Sequence, residues 1–306
     1  MENWRRNPLV FWMINLPPTV WLIVFFMIPL GIIWVLSFGE KLGVVEVAIT
    51  WTLDNYLRAF DPLYLQIFAK SFWFAGVTTF FCLVVAFPVA FFITFAPDRW
   101  KPLLLLAIIL PFWTNLLIRT YALIAVLRTR GFANFSLEWL WEKGDGFLTL
   151  VGLGDRQLLG PSFEPLVLLY NNFAVVFGLV YVFLPFMVLP LYASLDRMDK
   201  SLIEASLDLG AGQLRSFFSI VVPLAKAGVI SGIIITFIPA LGSFLTPDLL
   251  GGTDSQMIAN VIERQFKSAN DWPFGAALSF ILMYITFFAL ALRALLARGS
   301  SAMEAG

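Results

Sequence analysis

Between Glu204 and Pro223 the chain reads EASLDLGAGQLRSFFSIVVP, a polar interruption between two apolar stretches that are each long enough to cross a bilayer. Glu204, Asp208, Gly210, Arg215 and Pro223 have little reason to stand there unless the segment meets something in water. Elsewhere the chain is poor in reactive groups. It holds no His and a single Cys, Cys82, inside an apolar run. An intrachain disulfide, a His-ligated metal, a His-based triad and a histidine pH switch are thereby excluded. Within the apolar stretches the only charge is Arg119, and there is no acid. A proton-coupled carrier usually needs a mid-membrane carboxylate or His, and an aspartyl intramembrane protease needs two aspartates. No G-x-x-x-x-G-K-[ST] loop occurs, so ATP has no P-loop site in this chain. A transporter with neither an ion relay nor a nucleotide site must take its energy from another chain. Residues 204–223 are where it could do so.

The segment also has a mechanical logic. Asp199 can cap a short helix running to Leu209, with Leu202, Ala205 and Leu209 on one apolar stripe. Gly210 stands where a left-handed C-terminal cap lets the chain turn. A second helix from Gln213 then leads to Pro223, near the start of the next apolar stretch.

Composition says what surrounds this hinge. The chain has 306 residues, 60% apolar and 13% charged, with a mean hydropathy of +0.86. A soluble domain carries about 45–50% apolar and about 25% charged residues, so lipid must be the main solvent. Six segments satisfy the requirement of about 20 apolar residues per spanning helix: residues 16–38, 71–95, 102–127, 166–195, 227–246 and 273–292. The predicted fold is therefore all-α, a polytopic membrane protein of six helices in one domain, with residues 196–226 as its inner loop. Pro29, Pro88, Pro111, Pro185, Pro190 and Pro239 fall inside these spans and are read as packing bends. The first apolar run exceeds the about 7–15 residues of a cleavable signal, and Gly39-Glu40-Lys41 is no cleavage site, so it reads as a retained membrane helix.

With both termini inside, the inner segments hold ten basic residues against seven acids, and the outer ones nine against thirteen. Counted by basic residues alone this barely discriminates. The short turn at 96–102 and the Arg5-Arg6 flank point the same way. Among the outer segments, Trp51 to Tyr56 is a plausible helix start, with Asp54 able to cap the following turn. Phe135 to Trp141 forms an amphipathic aromatic patch suited to a membrane surface. Turns are expected at 144–146 and 152–154, a break at Gly251-Gly252, and a short helix over Met257–Phe266. Nucleic-acid binding has no basic stripe to support it.

Residues 204–223 resemble the EAA loop of bacterial ATP-binding-cassette (ABC) importer permeases. Glu204, Ala205, Ser206, Gly210, Ile220 and Pro223 fall at the motif's spacings, with Ser206 in place of an Ala and Val222 in place of a Leu. The resemblance extends along TLDNYLRAFDPLY (52–64), LPFWTNLLIRTYA (110–122), LVYVFLPFMVLPLYASLD (179–196), PALGSFLTPDLLGG (239–252) and DWPFGAALS (271–279). These look like the spermidine/putrescine permease subunits of the PotB/PotH kind. That resemblance implies a MetI-like core in a bacterial inner membrane, and a path formed with a second permease of the PotC/PotI kind. It implies an ATPase dimer of the PotA/PotG kind and an extracytoplasmic polyamine-binding protein. In that family the first loop helix docks on the ATPase. ATP and Mg would be bound there, so this chain is expected to hold no cofactor or metal and to be no enzyme itself. Glu204 would either contact the ATPase or brace the turn from within.

A polyamine is a flexible polycation, for which aromatic faces and a few acids make a suitable path. Trp113, Tyr121 and Phe244, with Asp248 and Glu263, are the candidate pathway residues. The acids fit equally an ordinary topological charge bias, and aromatics this abundant also serve packing. Arg119 would repel a polycation and is expected to pair with helix-end carbonyls or an outer acid. Two alternatives stand beside the polyamine reading: the same architecture for ferric iron or an anion, and a membrane anchor for an ATPase that transports nothing.

Overall fold

The structure, a computed structural model, describes residues 8–43, 46–150 and 163–303. It divides into two compact units, Met1–Gln66 with Val261–Gly306, and Ile67–Asn260.

In the first unit, α1 (residues 8–36) widens to a π turn at Ile23–Met27, where the Ile28 amide reaches back to the Ile23 carbonyl. Pro29, next in line, has no N–H to continue the ordinary ladder. The far end of α1 is tied by polar bonds. The Trp34 indole donates to the Tyr284 hydroxyl (2.8 Å) on α13 (Trp272–Met303), and Ser37 shares a hydrogen bond with Tyr56 (2.7 Å). A small antiparallel hairpin follows, β1 (Gly39–Lys41) and β2 (Val47–Ile49), the one departure from an all-helical reading among the described residues. A Cβ at Gly39 would stand 2.8 Å from the Ala48 carbonyl, which is why glycine opens it. In α2 (Asp54–Arg58), Asp54 is the first helical residue rather than the cap. Its amide donates to the Thr52 hydroxyl at 3.1 Å, because the threonine stands two residues earlier with its oxygen placed for the turn. Arg58 pairs with Asp271 at 2.9 Å and lies 3.9 Å from the Phe274 ring centroid, joining α2 to the start of α13.

In the second unit the core is built by three helices: α3 (Pro62–Phe95, from its second turn onward), α7 (Asn172–Leu195) and α10 (Lys226–Leu241). Small residues let them approach. Ala75, Cys82, Ala86 and Ala90 make a fully buried stripe on α3, and the Cys82 thiol reaches the Val180 carbonyl of α7 at 3.7 Å. On α10, Gly228, Gly232, Thr236 and Ala240 recur every fourth residue, all buried. A Cβ at Gly228 would lie 2.7 Å from the Pro190 carbonyl, and one at Gly232 would lie 2.6 Å from the Met187 sulfur. Lipid removes most of the hydrophobic drive between helices, so contact comes from close backbone approach of this kind.

Four helices are long and apolar enough to cross a membrane singly: Phe11–Leu36, Pro62–Phe95, Asn172–Leu195 and Trp272–Ala291. Two bent pairs bring the number to six if each counts as one span: Lys101–Trp113 with Leu116–Gly144 (94°), and Gln213–Leu224 with Lys226–Leu241 (64°). The predicted span 102–127 is thus two helices, α4 (Lys101–Ile109) and α5 (Leu116–Leu127), parted by a 3-10 turn at Leu110–Trp113 that contains Pro111. Asn115 restarts the helix by accepting the Leu117 amide at 2.8 Å. The predicted span 166–195 becomes helical only at Asn172, with Asn171 accepting the Ala174 amide (2.9 Å). The predicted 227–246 stops at Leu241, and α11 (Leu245–Leu250) follows the break. The aromatic patch lies on α6 (Phe132–Leu150), which runs straight through 144–146 where a turn was expected. Glycine permits a turn without imposing one. Residues 152–154 lie outside the described residues. The break at Gly251-Gly252 is present, and α12 (Ile258–Lys267) is the expected short helix.

Candidate functional site: the hinge between α7 and α10

Five residues after α7 the chain enters α8 (Ser201–Asp208). The Asp199 carboxylate accepts the Ser201 amide at 3.0 Å and satisfies one orphan donor of the first turn. That bond and the one to the Ser201 hydroxyl hold the Asp199 carboxyl below its ordinary value. At the other end Gly210 adopts φ +83°. Its amide bonds the Leu207 carbonyl (2.9 Å) and the Ala211 amide bonds the Ser206 carbonyl (3.1 Å). This pair of crossed bonds closes a Schellman cap, which only glycine completes without strain.

The second arm, α9 (Gln213–Leu224), packs against the first. The two are joined by a hydrogen bond between the Ser206 and Ser216 hydroxyls. Here the serine that replaces an alanine of the motif has a role of its own, and Ser216 is a site residue that spacing alone did not reveal. Ile220 lies within a π turn at Phe217–Val221, with Pro223 just beyond it. Phe217 meets Phe87 and Phe91 of α3 edge-on, at 5.4 and 5.6 Å.

Facing outward from this hairpin are Leu202, Leu207, Leu209, Leu214 and Phe218, all exposed, with Leu209 at 89%. A cleft of about 320 Å³ runs past Ser206, Leu209, Gly210 and Arg215. Ala205 and Glu204 are exposed too, and the Glu204 side chain makes no hydrogen bond or ion pair among the described residues. The side-chain bond that joins the two arms here is the serine pair, not a contact of Glu204.

The pathway candidates are only partly brought together. Trp113 ends the 3-10 turn and is 76% exposed, and Tyr121 on α5 is also exposed. Phe244 and Asp248 stand one turn apart, the Asp248 amide bonding the Phe244 carbonyl at 3.0 Å. Leu250, from the same segment, packs with Leu123 and Leu127 of α5. Glu263 belongs to the other compact unit and pairs with Lys267 on its own helix at 2.7 Å.

Arg119 departs from expectation. It makes no ion pair among the described residues. Its guanidinium lies 5.1 Å from the Phe112 ring, and its Nε is buried without a hydrogen bond. Phe112 in turn meets Phe186 of α7 edge-on at 4.8 Å. An aromatic face attracts a cation in a medium that holds no acid to do so. The arginine thus clasps the break in its own span, and the ring it clasps rests on α7.

A core of bent, membrane-spanning helices with an exposed helical hairpin leading into one of them has the fold of an ABC importer permease. The chain superposes on the crystal structure of a bacterial ABC transporter involved in import of the acidic polysaccharide alginate. The TM-score is 0.66 at 14% identity, covering 94% of this chain and 96% of that one. It is 40% identical over 265 residues to the spermidine/putrescine transport system permease protein PotB of Escherichia coli K12, covering 87% of this chain and 90% of that protein. PotB of Haemophilus influenzae is 36% identical over 88% of each chain, and the inner membrane ABC transporter permease protein YdcU of Escherichia coli is 30% identical over 94% of this one. No protein-family model matches. The chain belongs to the PotB family of ABC transporter permeases.

Proposed function

We propose that this chain is one of two permease subunits of an ATP-driven importer that takes up polyamines of the spermidine and putrescine class. The observation that carries the energy coupling is the α8–α9 hairpin: its leucines are exposed, its turn is capped, and it lies on the chain between α7 and α10. An ATPase dimer binds this apolar face, holds the ATP and Mg, and moves it. Glu204, Ala205, Ser206, Gly210, Ile220 and Pro223 form or support the docking element. A binding protein delivers substrate to the opposite side, and both termini lie with the hairpin in the cytoplasm of a bacterial inner membrane.

For the substrate, identity to PotB over most of both chains favours polyamines over ferric iron or an anion. Trp113, Tyr121 and Phe244 offer exposed aromatic faces to a polycation, and Asp248 stands one turn from Phe244. Glu263, already paired with Lys267, contributes charge at longer range. Reconstitution with the second permease, the ATPase and spermidine-loaded binding protein tests the proposal. ATP-dependent spermidine uptake is expected. Uptake without ATPase, or a complex that accepts only ferric iron or anions, would overturn it.

A further inference from the structure

The five residues between α7 and α8 are held by two separate contacts, one to the inner end of α3 and one to the start of α4. Asp196, at the end of α7, pairs with Lys101, the first residue of α4, at 3.1 Å. The Lys101 side chain is 15% exposed and also meets Asp98 at 3.0 Å. Lysine there is shared by two carboxylates, one from its own turn and one from the stem of the hairpin. Asp98 is held below its ordinary carboxyl range by the Lys101 ammonium.

The second contact is Lys200, immediately before α8. Its ammonium donates to the Thr94 carbonyl at 3.3 Å and lies 5.2 Å from the Phe95 ring. Thr94 is in the last turn of α3, where carbonyls lack helical partners and the helix dipole is negative. A cation there satisfies both. The hairpin's other arm reaches the same helix through Phe217, packed against Phe87 and Phe91. Both arms therefore bear on the inner end of α3.

We infer that Lys101 and Lys200 are positioning residues that carry displacement of the α8–α9 hairpin into α3 and α4, with the Lys101–Asp196 pair as the strut. The inference rests on the hairpin being the ATPase-docking element. A hairpin anchored only by α7 and α10 would move those helices alone. The two lysines couple its motion to the turn at 96–100, so that α4 with its broken span moves in the same step.

The test uses the complete importer with Lys101→Met, Asp196→Asn and the exchange Lys101→Asp with Asp196→Lys. ATPase copurification and thermal stability in detergent are measured with ATPase stimulation by loaded binding protein and with spermidine taken up per ATP. Each single variant is expected to copurify normally and to lower uptake per ATP by about fivefold or more, and the exchange to restore much of it. Unchanged uptake per ATP in both single variants would overturn the strut. So would a loss that tracks ATPase copurification and is not relieved by the exchange. Failure of the wild-type complex to take up spermidine would instead count against the polyamine reading and leave the strut measurable as ATPase stimulation.

Discussion

The Ser206 and Ser216 hydroxyls are bonded to each other across the turn of the α8–α9 hairpin, ten residues apart in sequence. The two helices are thereby fixed as one body, and an ATPase that takes hold of α8 also moves α9 and the span it leads into. A partly buried hydroxyl pair of this kind contributes about 1 kcal/mol. Ser206→Ala and Ser216→Ala should each lower hairpin protection in hydrogen exchange by about that amount. The double variant should be no worse than Ser216→Ala alone, which removes the shared bond together with the longer one to the Gly212 carbonyl (3.3 Å). Additive losses would mean that the serines act separately.

At Gly210 the requirement is conformational. Proline cannot adopt φ +83° and has no N–H for the Leu207 carbonyl. Gly210→Pro should leave the chain inserted in the membrane but abolish ATPase copurification and uptake. Normal copurification together with full uptake would contradict the docking role of this turn.

The glycines of α10 give a graded prediction. A Cβ at Gly228 meets the backbone carbonyl of Pro190 at 2.7 Å, whereas one at Gly232 meets the flexible sulfur of Met187 at 2.6 Å, its nearest backbone atom being at 3.4 Å. Gly228→Ala should therefore cost more, roughly 1–3 kcal/mol by overpacking, and Gly232→Ala less. Thermal unfolding of the two variants in detergent orders them, and the reverse order would mean that α7 and α10 pack differently.

Arg119→Ala removes the clasp between Arg119 and Phe112 at the break in the third span. Lower assembly with the partner permease is expected, with no change in preference among polyamines. Competition uptake assays check this, and an altered preference would place Arg119 in the substrate path.

Asp199 gives a pH dependence. Its folded-state carboxyl is lowered by hydrogen bonds from Ser201, so its capping contribution is present above the ordinary carboxyl range. That contribution is lost as pH falls through the lowered value. Protection of the α8 amides should fall in acid in the wild type. Asp199→Asn, which keeps an acceptor but does not titrate, should flatten that part of the profile.

The hinge was legible because polar residues are conspicuous in so apolar a chain, and because a glycine at a helix end has one strong use. Asp199, Gly210 and the short helix between them follow from local rules that act within ten residues. The partners reached across the fold were not legible. Lys101 and Asp196 stand 95 positions apart, and Phe112 is one of 32 phenylalanines, so nothing local marks either as a partner. Proline was an incomplete guide to bends. Pro88 lies inside a continuous helix while Pro111 stands in a break, and at the second site Asn115 is available to cap a new helix. Ser206 carried a signal that its size hid: a hydroxyl in place of a methyl is a bond looking for a partner.

The most direct measurement places a single reactive thiol at the exposed tip of the hairpin. Cys82 is buried, so Leu209→Cys, at a position 89% exposed, reports alone on this chain. The account predicts that it crosslinks to the ATPase in the assembled importer and is labelled by an impermeant maleimide only from the cytoplasmic side. Labelling from the external side, or full reactivity with no crosslink in an assembled complex, would contradict it.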